Sequence, residues 1–361
     1  MRIVVAMSGG VDSSVAAALL RDEGHDVVGL SMQLYDQGEQ ADGRPAFGSC
    51  CTIDDLHDAR RVATVLEIPH YIVNFERQFN EHVVAPFVED YVSARTPIPC
   101  VRCNSQLKFS HLLERAQGFD AAAVATGHYA RVEKTQDGRY ALKRGRDTEK
   151  DQSYFLFMLS QTQLASASFP LGELSKHEVR RYATERKLPV ADKPDSHEIC
   201  FVPDNDYAAF VERRAPDAMR PGPITDNDGH VLGQHDGVHR FTVGQRKGLG
   251  ISGPIPLYVV GMDARSHTVT VGPRAALYRT TLSASDVNWI AGYPPSGPCA
   301  VQAQIRHRHE ASPARLSPHG PDAATVVFDE PQPAISPGQA VVFYDGDEVV
   351  GGGWIDGNRD S

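Results

Sequence analysis

The sequence predicts an α/β protein with an N-terminal parallel sheet, a small central domain and a C-terminal β-barrel, and three observations carry that expectation. Short β-branched runs alternate with helical stretches at βαβ spacing from residue 1 to about residue 130. From Pro221 onward glycine and proline recur between short β-type runs, as in DNDGHVLGQHDGVHRFTVGQRKGLG. From about Leu277 the alternating runs VQAQIRH, TVVFD, QAVVFYD and VVGGGWI read as a terminal all-β barrel or sandwich. The corresponding domain limits are 1–204, 205–274 and 275–361.

The first strand is Arg2 to Ala6 (RIVVA), unbroken and β-branched as a buried parallel strand should be. The loop AMSGGVDSS follows, and SSVAAALLR then reads as a helix that stops at Gly24. Gly9 and Gly10 remove two Cβ atoms where backbone must approach an anion. The opening N–H groups of the helix add the positive end of its dipole, and Ser8, Ser13 and Ser14 add hydroxyl donors. No Lys follows the glycines as in G-x-x-x-x-G-K-[ST], and the G-x-G-x-x-G of dinucleotide folds is missing too. Asp12 makes sense beside phosphates mainly with Mg²⁺ between them. A lone SGG would suit an ordinary capped turn, but SGGVDSS after a first strand resembles the pyrophosphatase-type loop of ATP-dependent adenylating enzymes. That resemblance implies cleavage of ATP between the α and β phosphates.

Further along, Asp26 to Met32 reads as the second strand, Thr52 to Leu66 as a helix with acids in its first turn, and His70 to Phe75 as the third strand. Met32 ends its strand, where such sheets bind ligands. A helix through Ala85 to Ser93 leads to TPIPCVRC, whose two prolines argue against helix, and Asn104 is expected to cap SQLKFSHLLERA. Ala121 to Thr126 is another buried strand, ending in Gly127-His128-Tyr129 at the same crevice. A Gly138-centred hairpin follows, then Lys150-Asp151-Gln152-Ser153-Tyr154 ahead of an expected apolar helix. Ser175-x-x-Glu178 is a capping box opening a basic helix to Lys187, which leads into DSHEICFVP.

With 361 residues, 41% apolar and 23% charged, the chain has the composition of a soluble globular protein of two or three domains. No run approaches a membrane span and the N-terminus enters a strand directly, so the expected location is the cytoplasm, with no membrane partner. The six cysteines are then thiols for chemistry or metal rather than a disulfide framework. A net charge of −10 argues against indiscriminate nucleic-acid binding and leaves room for a local basic groove.

Cys100-Val101-Arg102-Cys103 is a C-x-x-C, and Cys200 stands in the apolar run ICFVP. Three readings compete: a zinc or iron–sulfur site, a dithiol redox pair, or a nucleophile with a sulfur carrier. A metal site lacks a second C-x-x-C or an H-x₃₋₅-H cluster, although Cys50-Cys51 could be recruited; the expectation is no metal held by cysteine. Arg102 and the helix start expected at Asn104 favour thiolate at Cys103, the better nucleophile candidate.

SGGVDSS, TPIPCVRCNSQLKF, ATGHYAR, KDQSYFL, DSHEICF and FTVGQRKGLG, in this order, resemble the tRNA-specific 2-thiouridylase family over nearly the whole chain. The resemblance implies that ATP adenylates the C2 oxygen of the wobble uridine in certain tRNAs, AMP leaves, and sulfur from a protein persulfide replaces it. It also implies an N-terminal adenine-nucleotide-binding domain, Cys103 as nucleophile and Cys200 as persulfide carrier. Cys103 then either attacks the base or splits the persulfide, the second route ending in a Cys103–Cys200 disulfide that an external thiol reduces. Carried over residue by residue, ATP contacts fall on Ala6, Met7, Ser8, Gly9, Gly10, Val11, Asp12, Ser13, Met32 and Gly127. tRNA contacts fall on Ile98, Pro99, Cys100, His128, Lys150, Asp151, Gln152, Arg306, His307 and Gln339. Three positions depart from the family: Cys100 stands where some members have Asp, His197 where Gln is common, and His307 where Tyr is usual. The implied partners are tRNA and a sulfur-relay or cysteine desulfurase protein. Two other readings stay open from the residues: a ligase of the same loop class acting on a small carboxylate or amide, whose cysteines would be dispensable, and a non-catalytic metal-containing RNA-binding protein.

Overall fold

The computed structural model describes residues 1–35, 53–195, 199–202, 205–251 and 255–357. Cys50, Cys51 and His197 lie outside them. Five parallel strands form the first sheet, in the spatial order β3, β2, β1, β4, β7: β1 (Arg2–Ala6), β2 (Asp26–Gln33), β3 (His70–Asn74), β4 (Ala123–Ala125) and β7 (Ala167–Ser168). The expected strands are all present; the two-residue edge β7 is an addition that no sequence pattern announces. On β1, Val4 packs into one apolar cluster while Ile3 and Val5 pack into another, so both faces of the sheet are covered. The chain runs outward from β1 to β3 and then crosses to β4 on the other side. This order places a crevice at the carboxyl ends of β1 and β4, where α/β sheets take ligands.

Helix α1 (Val11–Asp22) follows β1 directly, and α2 (Ile53–Val65) carries Asp54 and Asp55 in its first turn. The C-x-x-C region corrects the expectation of a proline-blocked loop capped by Asn104. Helix begins at Pro99 with Ile98 as its cap, passes through a π-helical stretch, Cys103–His111, and ends at Gln117. Proline is tolerated here because the first-turn N–H groups have no partner within the helix anyway. Asn104 is therefore interior; it is buried and donates to the Phe155 carbonyl at 3.2 Å.

A hairpin of β5 (Ala130–Lys134) and β6 (Tyr140–Arg144) turns at Gly138, φ +85°. Past it, no apolar helix follows Tyr154. A single 3₁₀ turn, Ser153–Phe155, gives way to turns because these residues serve the barrel: the Tyr154 hydroxyl donates to the Ala340 carbonyl at 2.9 Å, and Asn288 donates to the Phe157 and Leu159 carbonyls. The Ser175 capping box is formed, opening the helix Lys176–Glu185.

A four-stranded sheet, Gly222–Thr225, Val231–His235, Tyr258–Asp263 and Thr268–Gly272, makes the central unit around Ile224, Val259, Val269 and Val271. The last unit is a closed barrel: Tyr278–Trp289, Ala324–Pro333, Ser312–Pro318, Cys299–Gln304, Ala340–Asp345 and Glu348–Ile355 pair in turn, and the last pairs back onto the first. Closure removes the sheet edges. Strand β6 adds to the outside of this barrel by pairing Lys143 with Glu348, so N-terminal chain is built into the C-terminal sheet. Among the described residues no helix is long and apolar enough to cross a membrane.

Candidate active site

The loop Met7–Gly10 leaves β1 at the crevice. Gly9 has φ +73°, and a Cβ there would lie 2.1 Å from the Asp55 carbonyl oxygen, so only glycine lets the loop pass under α2. Gly10 is the N-cap of α1 without a side-chain cap, and its carbonyl accepts from the Ser14 hydroxyl at 2.8 Å. The Ser8 N–H donates to Ser13 Oγ at 3.2 Å, folding the loop back over the helix start. Gly127, one residue past Thr126 at the end of β4, abuts that start: a Cβ on it would lie 2.6 Å from Asp12 C and Ser13 N. The SGGVDSS loop and the ATGHYA strand end thus form one surface. Ala6 ends β1, Val11 is buried in the first turn of α1, and Met32 is buried near the end of β2. The Met7 N–H donates to the Leu30 carbonyl at 2.8 Å, tying the loop to β2.

Asp12 sits in a network that the sequence reading missed. Its Oδ1 accepts from the Tyr129 hydroxyl at 2.8 Å, and the Lys176 ammonium donates to Oδ1 and Oδ2 at 2.8 and 2.9 Å. Lys176 also pairs with Asp195 at 2.8 Å, and Asp195 takes Lys150 at 2.9 Å and Arg180 at 2.7 Å. Burial opposes ionisation of Asp195, but hydrogen bonds from Lys176 and Lys150 outweigh it and hold the carboxyl well below the usual carboxylate range. Burial, then the Asp12 charge, pushes the Tyr129 phenol far up, so it stays a proton donor. On the other side of the loop Lys193 donates to the Gly9 carbonyl at 3.1 Å and to Asp55 and Asp58 at 2.6 and 2.7 Å. The available signals were weak: Lys176 directly follows the capping serine, and Asp195 opens DSHEIC.

Cys103 and Cys200 are both half-buried and pack against the same apolar cluster. Phe201 anchors the Cys200 segment, its ring edge-on to Phe79 and Phe87 at 5.4 and 5.0 Å. Cys103 lies a turn inside its helix and not at the helix start, which withdraws that part of the argument for its thiolate. Arg102 beside it is stacked 5.2 Å over the Trp354 ring of the barrel. Cys100, one turn ahead, is exposed, with Pro99 buried and Ile98 half-buried.

The residues expected at tRNA divide into distinct settings. Lys150 belongs to the network around Asp195. Asp151 is buried and turned inward, accepting from the Gly145 and Ser153 N–H groups, the Ser153 hydroxyl and Arg144. Gln152 accepts from the Tyr129 N–H at 3.2 Å. His128 is buried with Nδ1 2.6 Å from the Thr126 hydroxyl, and burial, then Lys108, drives its pKa well below the ordinary value; the ring is neutral near pH 7. Gln339 donates to the Thr96 carbonyl at 3.1 Å, bracing the loop ahead of Pro99, and the Thr96 N–H donates to the Pro337 carbonyl. Arg306 is half-buried against the Pro333 carbonyl, and the His307 ring lies 4.4 Å from Phe155.

Three family models cover the chain. One described as tRNA methyl transferase HUP domain matches residues 1–204, the tRNA methyl transferase PRC-barrel domain matches 208–273, and the aminomethyltransferase beta-barrel domain matches 279–355. Among curated relatives, the tRNA-specific 2-thiouridylase MnmA of Geotalea uraniireducens is 55% identical over 98% of this chain and 95% of its own. That of Geobacter metallireducens is 52% identical over 98% and 96%, and that of Solibacter usitatus 53% over 98% and 99%.

Proposed function

The chain belongs to the tRNA-specific 2-thiouridylase family, and from that premise we propose how its residues divide the work of an ATP-dependent tRNA sulfurtransferase. The loop from Ala6 to Ser13, with Met32 and Gly127, binds ATP at the carboxyl ends of β1, β2 and β4. The C2 oxygen of the wobble uridine takes the adenylyl group and pyrophosphate leaves. A carbonyl oxygen alone is a very poor leaving group, whereas the adenylated oxygen departs as AMP. Asp12 is the carboxylate of the loop that would hold Mg²⁺, a hard cation that takes oxygen, but both its oxygens accept from Lys176 here, so the ion would bind only as that lysine gives way. When bound, it supplies charge neutralisation on the phosphates.

Cys200 carries the persulfide delivered by a sulfur-relay or desulfurase protein, and Cys103 is the nucleophile that attacks the base or resolves the persulfide. The observation that supports the sulfur half of this reading is that the helix carrying Cys103 and the Phe201 ring beside Cys200, distant in sequence, both pack on the helix running through Phe79. An adenylating ligase would give them no common role. Ile98, Pro99 and Cys100 take the base; Arg306, His307 and Gln339 approach the tRNA from the barrel, and Lys150, Gln152 and His128 lie on the nucleotide side. The inward carboxylate of Asp151 acts by fixing the Lys150–Gln152 turn. The deciding experiment supplies the purified protein with tRNA, ATP labelled in the γ position and a persulfide donor. Expected products are 2-thiouridine, AMP and labelled pyrophosphate; labelled orthophosphate without pyrophosphate overturns the reading.

A further inference from the structure

Arg102 is expected from the sequence to favour thiolate at its neighbour Cys103, yet its guanidinium is turned to the barrel, 5.2 Å over the Trp354 ring. We propose that the Arg102–Trp354 contact is a rotational lock on the helix carrying Cys103, which makes Arg102 a positioning residue of the sulfur-transfer step. The inference rests on Cys103 as the nucleophile and adds what sets the direction of its thiol.

The lock stands where the helix geometry changes. Regular helix covers Pro99–Arg102, and the π-helical stretch Cys103–His111 opens at the nucleophile itself. π-Helix is rare and is mostly confined to single turns at functional sites, so the i→i−4 ladder that fixes the phase of an ordinary helix gives out at this point. Upstream, Gln339 donates to the Thr96 carbonyl at 3.1 Å, and the Thr96 N–H donates to the Pro337 carbonyl. Those two bonds hold the chain where it enters the helix but leave rotation about the helix axis open. A side chain gripped away from the axis closes that freedom, and Arg102 is the last residue before the π-helical stretch.

The anchor is rigid. Trp354 is buried, its backbone pairs with Ala340 on one side and Ser285 on the other, and its ring meets Phe157 edge-on at 6.0 Å. The ring, and not an acid, receives the guanidinium: Asp90, whose carboxyl senses the Arg102 charge, is itself paired with Arg95 at 3.2 Å. Successive side chains on a helix stand about 100° apart, so holding Arg102 on the barrel sends Cys103 away from that direction. The stretch that opens at Cys103 packs on the helix through Phe79, where the Phe201 ring beside Cys200 also packs. A rotation of about 20° would carry a sulfur ~5 Å from the axis through roughly 1.7 Å, and a misplacement of about 1 Å can cost about 10²-fold in rate.

The test follows a single turnover of the full-length protein with tRNA, ATP and a persulfide donor, reading 2-thiouridine formed, pyrophosphate released and tRNA affinity. In Arg102→Met, 2-thiouridine formation is expected to fall about 10- to 100-fold, with pyrophosphate release and tRNA affinity held within about twofold. Arg102→Lys, which keeps a cation over the ring, is expected to recover part of the rate. Trp354→Leu should show the same selective loss, and adding Arg102→Met to it should cost nothing more, because both remove one contact. Arg102 is only half-buried, so Arg102→Met decides the matter even where Trp354→Leu fails to fold. Wild-type 2-thiouridine formation in Arg102→Met, equal losses of 2-thiouridine and pyrophosphate, or weaker tRNA binding at an unchanged rate overturns the proposal. Retained thiolation by Cys103→Ser falls instead on the reading of Cys103 as nucleophile.

Discussion

Gly127→Ala tests whether the end of β4 and the phosphate loop work as one surface. The added Cβ would lie 2.6 Å from Asp12 C and Ser13 N and 2.9 Å from Asp12 Cβ. Ordinary contact begins at 3.4 Å, so the first turn of α1 has to retreat by 3.4 − 2.6, about 0.8 Å. The two closest atoms belong to backbone, and a close-packed interior passes the shift on to the loop and does not absorb it locally. Overpacking of this kind costs about 1–3 kcal/mol of stability, which a protein of this size can bear. The effect on chemistry is larger in proportion, because a misplacement of about 1 Å can cost about 10²-fold in rate. Pyrophosphate release with saturating tRNA and ATP is therefore expected to fall by tens of fold while the protein still unfolds cooperatively. Gly297→Ala is the control, since its Cβ meets nothing within 4 Å. Wild-type pyrophosphate release by a folded Gly127→Ala protein would refute the reasoning.

Cys103→Ser and Cys200→Ser should each abolish 2-thiouridine formation and leave tRNA-dependent pyrophosphate release standing, because a hydroxyl of high pKa neither carries nor resolves a persulfide. Cys100→Ser should slow the reaction without ending it. Cys299→Ser should be near neutral: that thiol is half-buried in the barrel, and burial raises its pKa away from reactivity. Full thiolation by Cys200→Ser would end the carrier assignment. Gln339→Ala removes the 3.1 Å hydrogen bond to the Thr96 carbonyl, worth about 1 kcal/mol. If Gln339 acts by bracing the loop ahead of Pro99, kcat for thiolation falls with tRNA affinity unchanged; weakened tRNA binding at constant kcat counts against the brace. For His128, the folded pKa is depressed by burial, so the unfolded chain binds more protons below its ordinary value near 6.5. Its contribution to stability is complete above that pH and is lost as pH falls toward the folded pKa. His128→Gln should therefore flatten the decline in thermal midpoint between pH 7.5 and 5.5, and an unchanged slope would show that His128 is not buried neutral.

Much of the first domain could be read from residues alone because its signals are local. The centres of its strands, IVV, VVGL and VA, are buried on both faces and so read as unbroken apolar runs, and SGGVDSS holds its glycines and its acid within one turn. In the barrel, VQAQ and TVVFD alternate as expected, whereas Ala340–Asp345 and most of Glu348–Ile355 are buried on both faces. Local rules failed at TPIPCVRC, where two prolines suggested loop; Pro99 instead takes the first turn of a helix, the one place a missing N–H costs nothing. They failed again after Tyr154, where FLFML has helical composition but is drawn out of helix by Asn288, Ala340 and Trp354 of the barrel. Tertiary partners far along the chain override propensity there, and no window around residue 155 contains them.

The charged part of the site was hidden for a related reason. A lysine on a helix is in most proteins a solvated charge, and Lys176, Arg180 and Lys193 carry no pattern that sets them apart. What makes them part of the site is that the chain from Ser175 to Asp195 returns to the phosphate loop, with Lys193 on the Gly9 carbonyl and Lys176 on Asp12. The same return sets the limits of Lys150: with its ammonium already on Asp195, neutralising it alters the balance around Asp12 as well as any phosphate contact with tRNA. A mutation of Lys150 therefore reports on both substrates at once. Its effect on ATP must be measured without tRNA before any part of it is assigned to RNA binding. Arg306, whose side chain donates to the Pro333 carbonyl, is the cleaner test of RNA binding.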